Sequence, residues 1–447
     1  MLQYNPMKMV AQHGIRGDSA SAIAASVEAA IREGRLGAGA PLPTVRELAR
    51  ALRLSPTTVA AAYRWLRVRG LVHAQGRRGT RVSPRPPLPV PFLAPAPPHL
   101  RDLSLGNPDP TLLPSLRRAL ARASRRPGLY GEPTNRPALL ALAARRLEAD
   151  ELPRGSLAVV GGALDGIERV LQAHLRAGDR VAVEDPGYVA IFDLLAAFGL
   201  VPEAVAVDET GPVPDDLARA LRARVAAFIL TPRAQNPTGA ALDVARVREL
   251  RRVLGRHPDV LVVEDDHAGP VAGAPALSVC HGRARWALVQ SVSKSLGPDL
   301  RLAILAGDPT TVARVEGRQS VGTGWVSHLL QDLVLALWSD PATEALLRRA
   351  AETYAVRRDG LLRALAAHGI AAQGCSGLNV WVPVLEEAVV VAALAQEGWA
   401  VRAGERYRLR AGSAVRVTTS ALAPQEAERV AAALARSLRP EGRRASA

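Results

Sequence analysis

Apolar residues recur at two different periods along this chain, and the change of period divides it. Ile23, Val27 and Ile31 stand four apart, which predicts one buried helical stripe, closed by Gly34. Thr44-Val45-Arg46-Glu47 is a capping box that opens a second helix with Leu48 and Leu52 facing inward. Ser55-Pro56 supplies an N-cap and a first-turn proline for a third helix carrying Val59, Tyr63 and Leu66. The short turn Leu54-Ser55 between the last two predicts a helix-turn-helix. Leu71–Ala74 and Thr80–Val82 then flank Gln75-Gly76-Arg77-Arg78-Gly79, a hairpin tip with two exposed arginines, a wing. From about residue 130 the pattern changes to short apolar strands alternating with amphipathic helices, as in an α/β sheet with crossovers.

Between the two patterns lies SPRPPLPVPFLAPAPP, residues 83–98, with eight prolines in sixteen positions. It can form neither a helix nor a central strand, and predicts a semi-rigid spacer. The expected organisation is therefore a small domain over 12–82, a linker over 83–98 and a large domain over 99–440. The large domain divides into a sheet part over about 130–335 and a smaller C-terminal part over about 340–440.

Charge follows the same division. The 447 residues carry a net +15, and residues 1–98 hold 14 Lys+Arg against 4 Asp+Glu. A basic excess packed into the small domain and linker reads as a nucleic-acid footprint. Cys280 and Cys375 match no metal-ligand spacing and no disulfide framework, and no metal site is expected. The longest apolar runs, such as Ala388–Ala395, are much shorter than a membrane span, so a cytoplasmic protein without membrane contact is expected. Of 57 basic residues only Lys8 and Lys294 are lysine, so Lys294 stands where arginine has not replaced it.

Three strands of the large domain end in polar motifs. Ala227–Leu230 runs into Thr231-Pro232-Arg233-Ala234-Gln235-Asn236-Pro237-Thr238-Gly239. Val260–Glu264 runs into Asp265-Asp266-His267, and Trp286–Gln290 into Ser291-Val292-Ser293-Lys294. Ligands of such sheets sit at the carboxyl ends of strands, so an amide, a carboxylate and the lone mid-chain lysine share one rim. Singly these are a turn, a solvated loop and a helix cap. Together they suit pyridoxal phosphate (PLP). A lysine amine condenses with an aldehyde where arginine cannot. An aspartate keeps a pyridine nitrogen protonated, and serines with an arginine suit a phosphate.

The N-terminal residues Ile31–Leu36, Leu42–Ala49, Ser55–Val59 with Ala62-Tyr63, and Gly76–Thr80 resemble, in order and spacing, the GntR-type winged helix-turn-helix. The resemblance implies that Arg46, Thr57, Thr58, Arg77 and Arg78 touch double-stranded DNA, with the third helix in the major groove. Pro56 stands where that family usually has a basic residue. The large domain resembles fold-type I aminotransferases. By that resemblance Lys294 forms an aldimine with PLP, Asp265 pairs with the pyridine nitrogen, and Asn236 donates to the ring hydroxyl. Ser291, Ser293, Arg301 and the backbone of Gly162 and Ala163 hold the phosphate, and Tyr188 stacks on the ring. Tyr130 corresponds to a tyrosine that reaches the other subunit's phosphate in a homodimer. Arg416 matches the arginine that grips a substrate α-carboxylate, and His267 replaces a tyrosine that donates to the ring hydroxyl.

A GntR-type reader joined to an aminotransferase-like domain resembles the MocR group of bacterial transcription regulators. Gly162–Arg169, Arg233–Gly239 and Asp265-Asp266-His267 look most like a branch linked to vitamin B6 supply. The resemblance implies a regulator that senses PLP, or PLP with an amine or amino-acid effector. The alternative is an active aminotransferase acting on an amino acid and a 2-oxo acid, with DNA binding secondary; Lys294, Asp265, Asn236 and Arg416 leave it open. A third is a repressor whose large domain only dimerises.

Overall fold

The computed structural model of the chain describes residues 13–74, 79–84, 96–122 and 128–438. They form two compact units. One comprises the described residues of 1–92 with Leu175–Val181 and Ala190–Pro202, and the other the described residues of 93–174, Ala182–Val189 and the described residues from Glu203 on.

In the first unit the local signals of the sequence become helix ends. Helix α1 (Ala20–Arg32) starts where Ser19 accepts from the N–H of Ala22, and stops before Gly34, whose φ is +73°. Helix α2 (Val45–Leu52) has the full reciprocal capping box between Thr44 and Glu47. Arg53 then turns left-handed, and Ser55 caps helix α3 (Pro56–Val68) with Pro56 in its first turn. Strands β1 (Val72–Ala74) and β2 (Thr80–Val82) pair antiparallel with Val72 opposite Val82. Ile23, Val27, Leu48, Val59 and Leu66 are fully buried in one core, and Tyr63 donates its hydroxyl to the Pro43 carbonyl at 2.7 Å. The wing tip that carries Arg77 and Arg78 lies outside the described residues.

The second pattern builds a sheet with crossover helices. After the two-residue strand β3 (Arg101–Asp102) come helices α4 (Leu116–Arg122) and α5 (Pro137–Ala149) and strand β4 (Ser156–Val160). Helix α6 (Ala163–His174), strand β5 (Arg180–Asp185), helix α7 (Val189–Ala197), strands β6 (Val201–Asp208) and β7 (Gly211–Pro212) and helix α8 (Pro214–Arg222) follow. Strand β8 (Ala227–Leu230), helix α9 (Val244–Gly255) and strands β9 (Leu261–Asp266), β10 (Trp286–Ser291) and β11 (Ala303–Gly307) complete it. The sheet order is β4-β11-β10-β9-β8-β5-β6-β7, with β8, β9 and β10 parallel and β11 antiparallel to its neighbours. Every residue of β8, β9, β10 and β11 is buried, which explains why they read as continuous apolar runs.

One strand is longer than its apolar run predicts. Pairing of β9 with β10 continues to Asp266 opposite Gln290, so Asp265 and Asp266 are strand residues and not the loop expected from their charge. Burial of the Asp266 charge is offset by a bidentate pair with Arg233, at 2.9 and 2.7 Å. Helices α10 (Pro309–Ser320), α11 (His328–Trp338) and the 27-residue α12 (Pro341–Ala367) lead to the C-terminal part. There β12 (Asn379–Pro383), β15 (Ala414–Thr418) and β14 (Arg402–Ala403) form a three-stranded sheet, while β13 (Trp399–Ala400) pairs with β3. Helices α13 (Glu387–Gln396) and α14 (Pro424–Leu438) cover it, and its core includes Val380, Leu394, Val415, Val430 and Leu434. Among the described residues no helix is long and apolar enough to cross a membrane.

Candidate functional site

Three parallel strands deliver the expected groups to one rim. Asp265 comes near the end of β9, Asn236 from the loop after β8, and Lys294 from the turn after β10. Asp265 is 3% exposed, and its Oδ1 is buried without a hydrogen-bond partner. Burial, together with the neighbouring Asp266, pushes its carboxyl up to about 7. Asp266 points to the opposite face of the strand, as alternation requires, and keeps its charge. Burial works against that charge, but Arg233 and a 3.0 Å bond from Gln290 hold it below the usual range.

The Lys294 amine donates to the Gly106 carbonyl at 2.6 Å. Burial and the nearby Arg416 lower it to about 8, so a reactive fraction of neutral amine exists near neutral pH. Asn236 accepts from Arg416 Nη1 at 2.9 Å through Oδ1, which leaves its Nδ2 as a donor for a ring hydroxyl. Arg416 itself is 2% exposed on β15, lies over the Tyr407 ring at 4.9 Å, and has its Nε buried without a partner. Tyr188 is half-buried, and burial followed by Asp265 pushes its phenol up to about 12.

His267 is held by the backbone of the loop after β8. Two residues beyond Asp265 in the strand direction, it makes a 2.9 Å contact from Nε2 to the Ala234 carbonyl. Burial and the Lys294 charge lower it to about 4, so the ring is neutral and Nε2 carries its one proton. In that state the other nitrogen, Nδ1, is left as an acceptor.

The anion end is built on the backbone. Helix α6 begins at Ala163, and Gly161 already gives its N–H to Asp165 at 2.8 Å. Gly162 sits at φ +106°, where a Cβ would come within 3.4 Å of Arg301 Nη2. Arg301 is exposed and forms no hydrogen bond or ion pair among the described residues. Ser291 is buried and linked to Ser293 at 3.1 Å. Tyr130 lies on the surface. It is 93% exposed, with its ring edge-on to Trp325. An orphaned buried carboxylate oxygen, a glycine cradle under an unpaired guanidinium and an amine-bearing lysine together fit PLP.

In the first unit, Arg46 is exposed in the first turn of α2, Thr57 is exposed in the first turn of α3, and Thr58 is half-buried beside it. The sequence did not single out Ser104, Gly106, Tyr407 or the role of Arg233. Nothing local distinguishes a backbone carbonyl or an arginine whose partners lie far along the chain.

The fold and site define a chain that joins a winged-helix reader to an aminotransferase domain. Residues 19–82 match the family of bacterial regulatory proteins, gntR family, and residues 98–434 match aminotransferase class I and II. The chain belongs to these families and, by their combination, to the MocR group of regulators. It is 44% identical over 423 residues to the vitamin B6 salvage pathway transcriptional repressor PtsJ of Salmonella typhimurium, covering 94% of this chain and 98% of that protein. It is 29% identical to the HTH-type transcriptional regulator TauR of Rhodobacter capsulatus, covering 78% and 80%. Among solved structures, the Pyrococcus horikoshii kynurenine aminotransferase matches with a TM-score of 0.69 at 20% identity, covering 76% of this chain and 91% of that one.

Proposed function

We propose that the chain is a PLP-responsive, homodimeric transcriptional regulator of vitamin B6 metabolism, whose large domain reports cofactor and amino-acid or amine occupancy to the DNA reader. The observation that carries this reading is the buried, unpartnered Oδ1 of Asp265 on the rim that also holds Lys294. Such an oxygen costs stability unless a ligand donor meets it. Similarity to a vitamin B6 salvage repressor over almost the whole chain supports the physiological assignment.

Bound PLP supplies an aldehyde for imine chemistry and an electron-withdrawing ring. The residues around it divide the work. Lys294 would hold the cofactor covalently, and its lowered basicity favours attack. Asp265 would hold a proton on the pyridine nitrogen, and Asn236 Nδ2 would donate to the ring oxygen. Tyr188 would cover one ring face. Gly162, Ala163, Ser291, Ser293 and Arg301 would take the phosphate. Arg416 would grip an effector carboxylate. The exposed Tyr130 would meet the phosphate of a second copy. On the DNA side, Arg46, Thr57 and Thr58 are presented by the first turns of α2 and α3, with Arg77 and Arg78 as wing contacts.

The test is binding to the DNA upstream of the chain's own gene, with and without PLP, for the native chain and Lys294→Ala. PLP should change the affinity of the native chain and leave that of Lys294→Ala unchanged. Superimposable curves in all four conditions refute sensing, and steady multiple turnover of amino groups onto a 2-oxo acid would favour the enzyme instead.

A further inference from the structure

Between two anchored stretches the chain crosses the site as a short strap. On one side Leu103 donates to Ala400 and accepts from Thr418, both at 2.8 Å. On the other, Asp109 donates its N–H to the Tyr354 hydroxyl at 3.0 Å and pairs with Arg357 at 2.8 Å. Ser104–Asn107 lies between them. Its Gly106 carbonyl accepts from Lys294 Nζ at 2.6 Å, and its Ser104 carbonyl accepts from Arg416 Nη2 at 2.5 Å. Gly106 permits this approach, because its φ is +70° and a Cβ would sit 3.4 Å from Arg416 Nη2. Asp102 shapes the start of the strap, its Oδ1 accepting from the N–H and the hydroxyl of Ser104 at 2.7 and 2.8 Å.

The two contacts fall on the two cations that a ligand needs. Arg416 commits Nη1 to Asn236 and Nη2 to Ser104, and keeps Nε buried without a partner. A carboxylate binding side-on takes two donors from one guanidinium edge. The Nε–Nη2 edge has one orphan donor and one bonded to a backbone carbonyl, so a carboxylate there satisfies the first and displaces Ser104 from the second. In the same way, an aldehyde condensing with Lys294 forms a C=N bond with loss of one water and no redox change. The nitrogen then carries at most one proton in place of the ammonium's three, which weakens or removes its bond to Gly106.

We propose that Ser104–Asn107 is a built-in competitor of the ligands: its carbonyls hold Lys294 and Arg416 in the unliganded chain, PLP releases the first hold, and an α-carboxylate releases the second. This rests on the cofactor reading above. It makes a carboxylate-bearing effector distinct from a plain amine, which has no group to displace Ser104 from Arg416. The strap begins six residues after Pro98, the last proline of the linker, so ligand occupancy and linker share one short run of chain.

The test uses the full-length chain and its variants Asp102→Ala, Asp102→Asn and Ser104→Ala. Each is titrated with PLP, read by absorption of the lysine-bound cofactor. The loaded chain is then titrated with propionate, and with propionamide as the uncharged control, read by the absorption shift and the melting temperature. Asp102→Ala removes both bonds to Ser104 and should bind PLP and propionate roughly three- to ten-fold more tightly. Asp102→Asn removes the charge but keeps an acceptor, and should stay within about two-fold of the native chain. Ser104→Ala, losing only the hydroxyl bond, should fall between them and keeps the test open if Asp102→Ala does not fold. Unchanged or weaker binding in Asp102→Ala and Ser104→Ala, or equal tightening in Asp102→Asn, overturns the strap while leaving the cofactor reading intact. Failure of the native chain to take up PLP overturns both.

Discussion

Asp265 is the residue at which stability and ligand binding oppose each other most directly. Its carboxyl is pushed up to about 7 by burial and by Asp266, from an ordinary value near 3.8. The folded empty chain therefore binds this proton more tightly than the unfolded one. The stabilising contribution is fully present below about pH 4 and is lost as pH rises through about 7. Above that the charged, unpartnered oxygen costs roughly a few kcal/mol. Asp265→Asn should thus raise the melting temperature of the PLP-free chain at about pH 8 and leave it nearly unchanged at about pH 4. The same substitution should weaken PLP binding roughly ten- to hundred-fold, because it removes a charge-assisted bond. Melting curves at both pH values, with and without PLP, check both halves, and a variant less stable at the higher pH would contradict the assignment.

At the level of elements, the end of β9 carries two carboxylates on opposite faces, and each depends on a different partner. Asp266 is held by Arg233, which comes from the loop after β8 and is itself 5% exposed. Replacing Arg233 with Met would leave a buried charge alone, a loss of about 3–5 kcal/mol in urea unfolding. Adding Asp266→Asn in that background should return part of it. If the two substitutions are simply additive, the pair is not a coupled unit. The helix ends of the first unit behave differently. The capping box at Thr44 and the Ser55-Pro56 start were legible in the sequence because they connect residues at most three apart. The extension of β9 through Asp266 was not, since it rests on pairing with β10 and on an arginine 33 residues away.

For the molecule as a whole, the proposed sensing imposes a thermodynamic symmetry. If PLP changes affinity for the upstream DNA by some factor, that DNA must change PLP affinity by the same factor. PLP titrations in the presence and absence of saturating DNA, at one fixed salt concentration, should return that factor from the cofactor side. Unequal factors would show that another equilibrium, such as assembly, lies between the two bindings. Salt must be held constant because the basic excess of residues 1–98 makes DNA affinity steeply salt-dependent.

The linear pattern of the chain was enough for the helix starts of the reader and the three strand ends that carry Asn236, Asp265 and Lys294. Each follows from side-chain period or from capping between near neighbours, which a sequence records directly. Folding in three dimensions settled what those groups touch. Lys294 meets a carbonyl 188 residues away and Arg416 one 312 residues away, both on backbone whose side chains carry no signal. It also placed His267 Nε2 2.9 Å from the Ala234 carbonyl, a partner 33 residues away in the chain. Which atom of a residue is free depends on the partners that folding brings to its other atoms, and those partners are set by packing and not by neighbours in the chain.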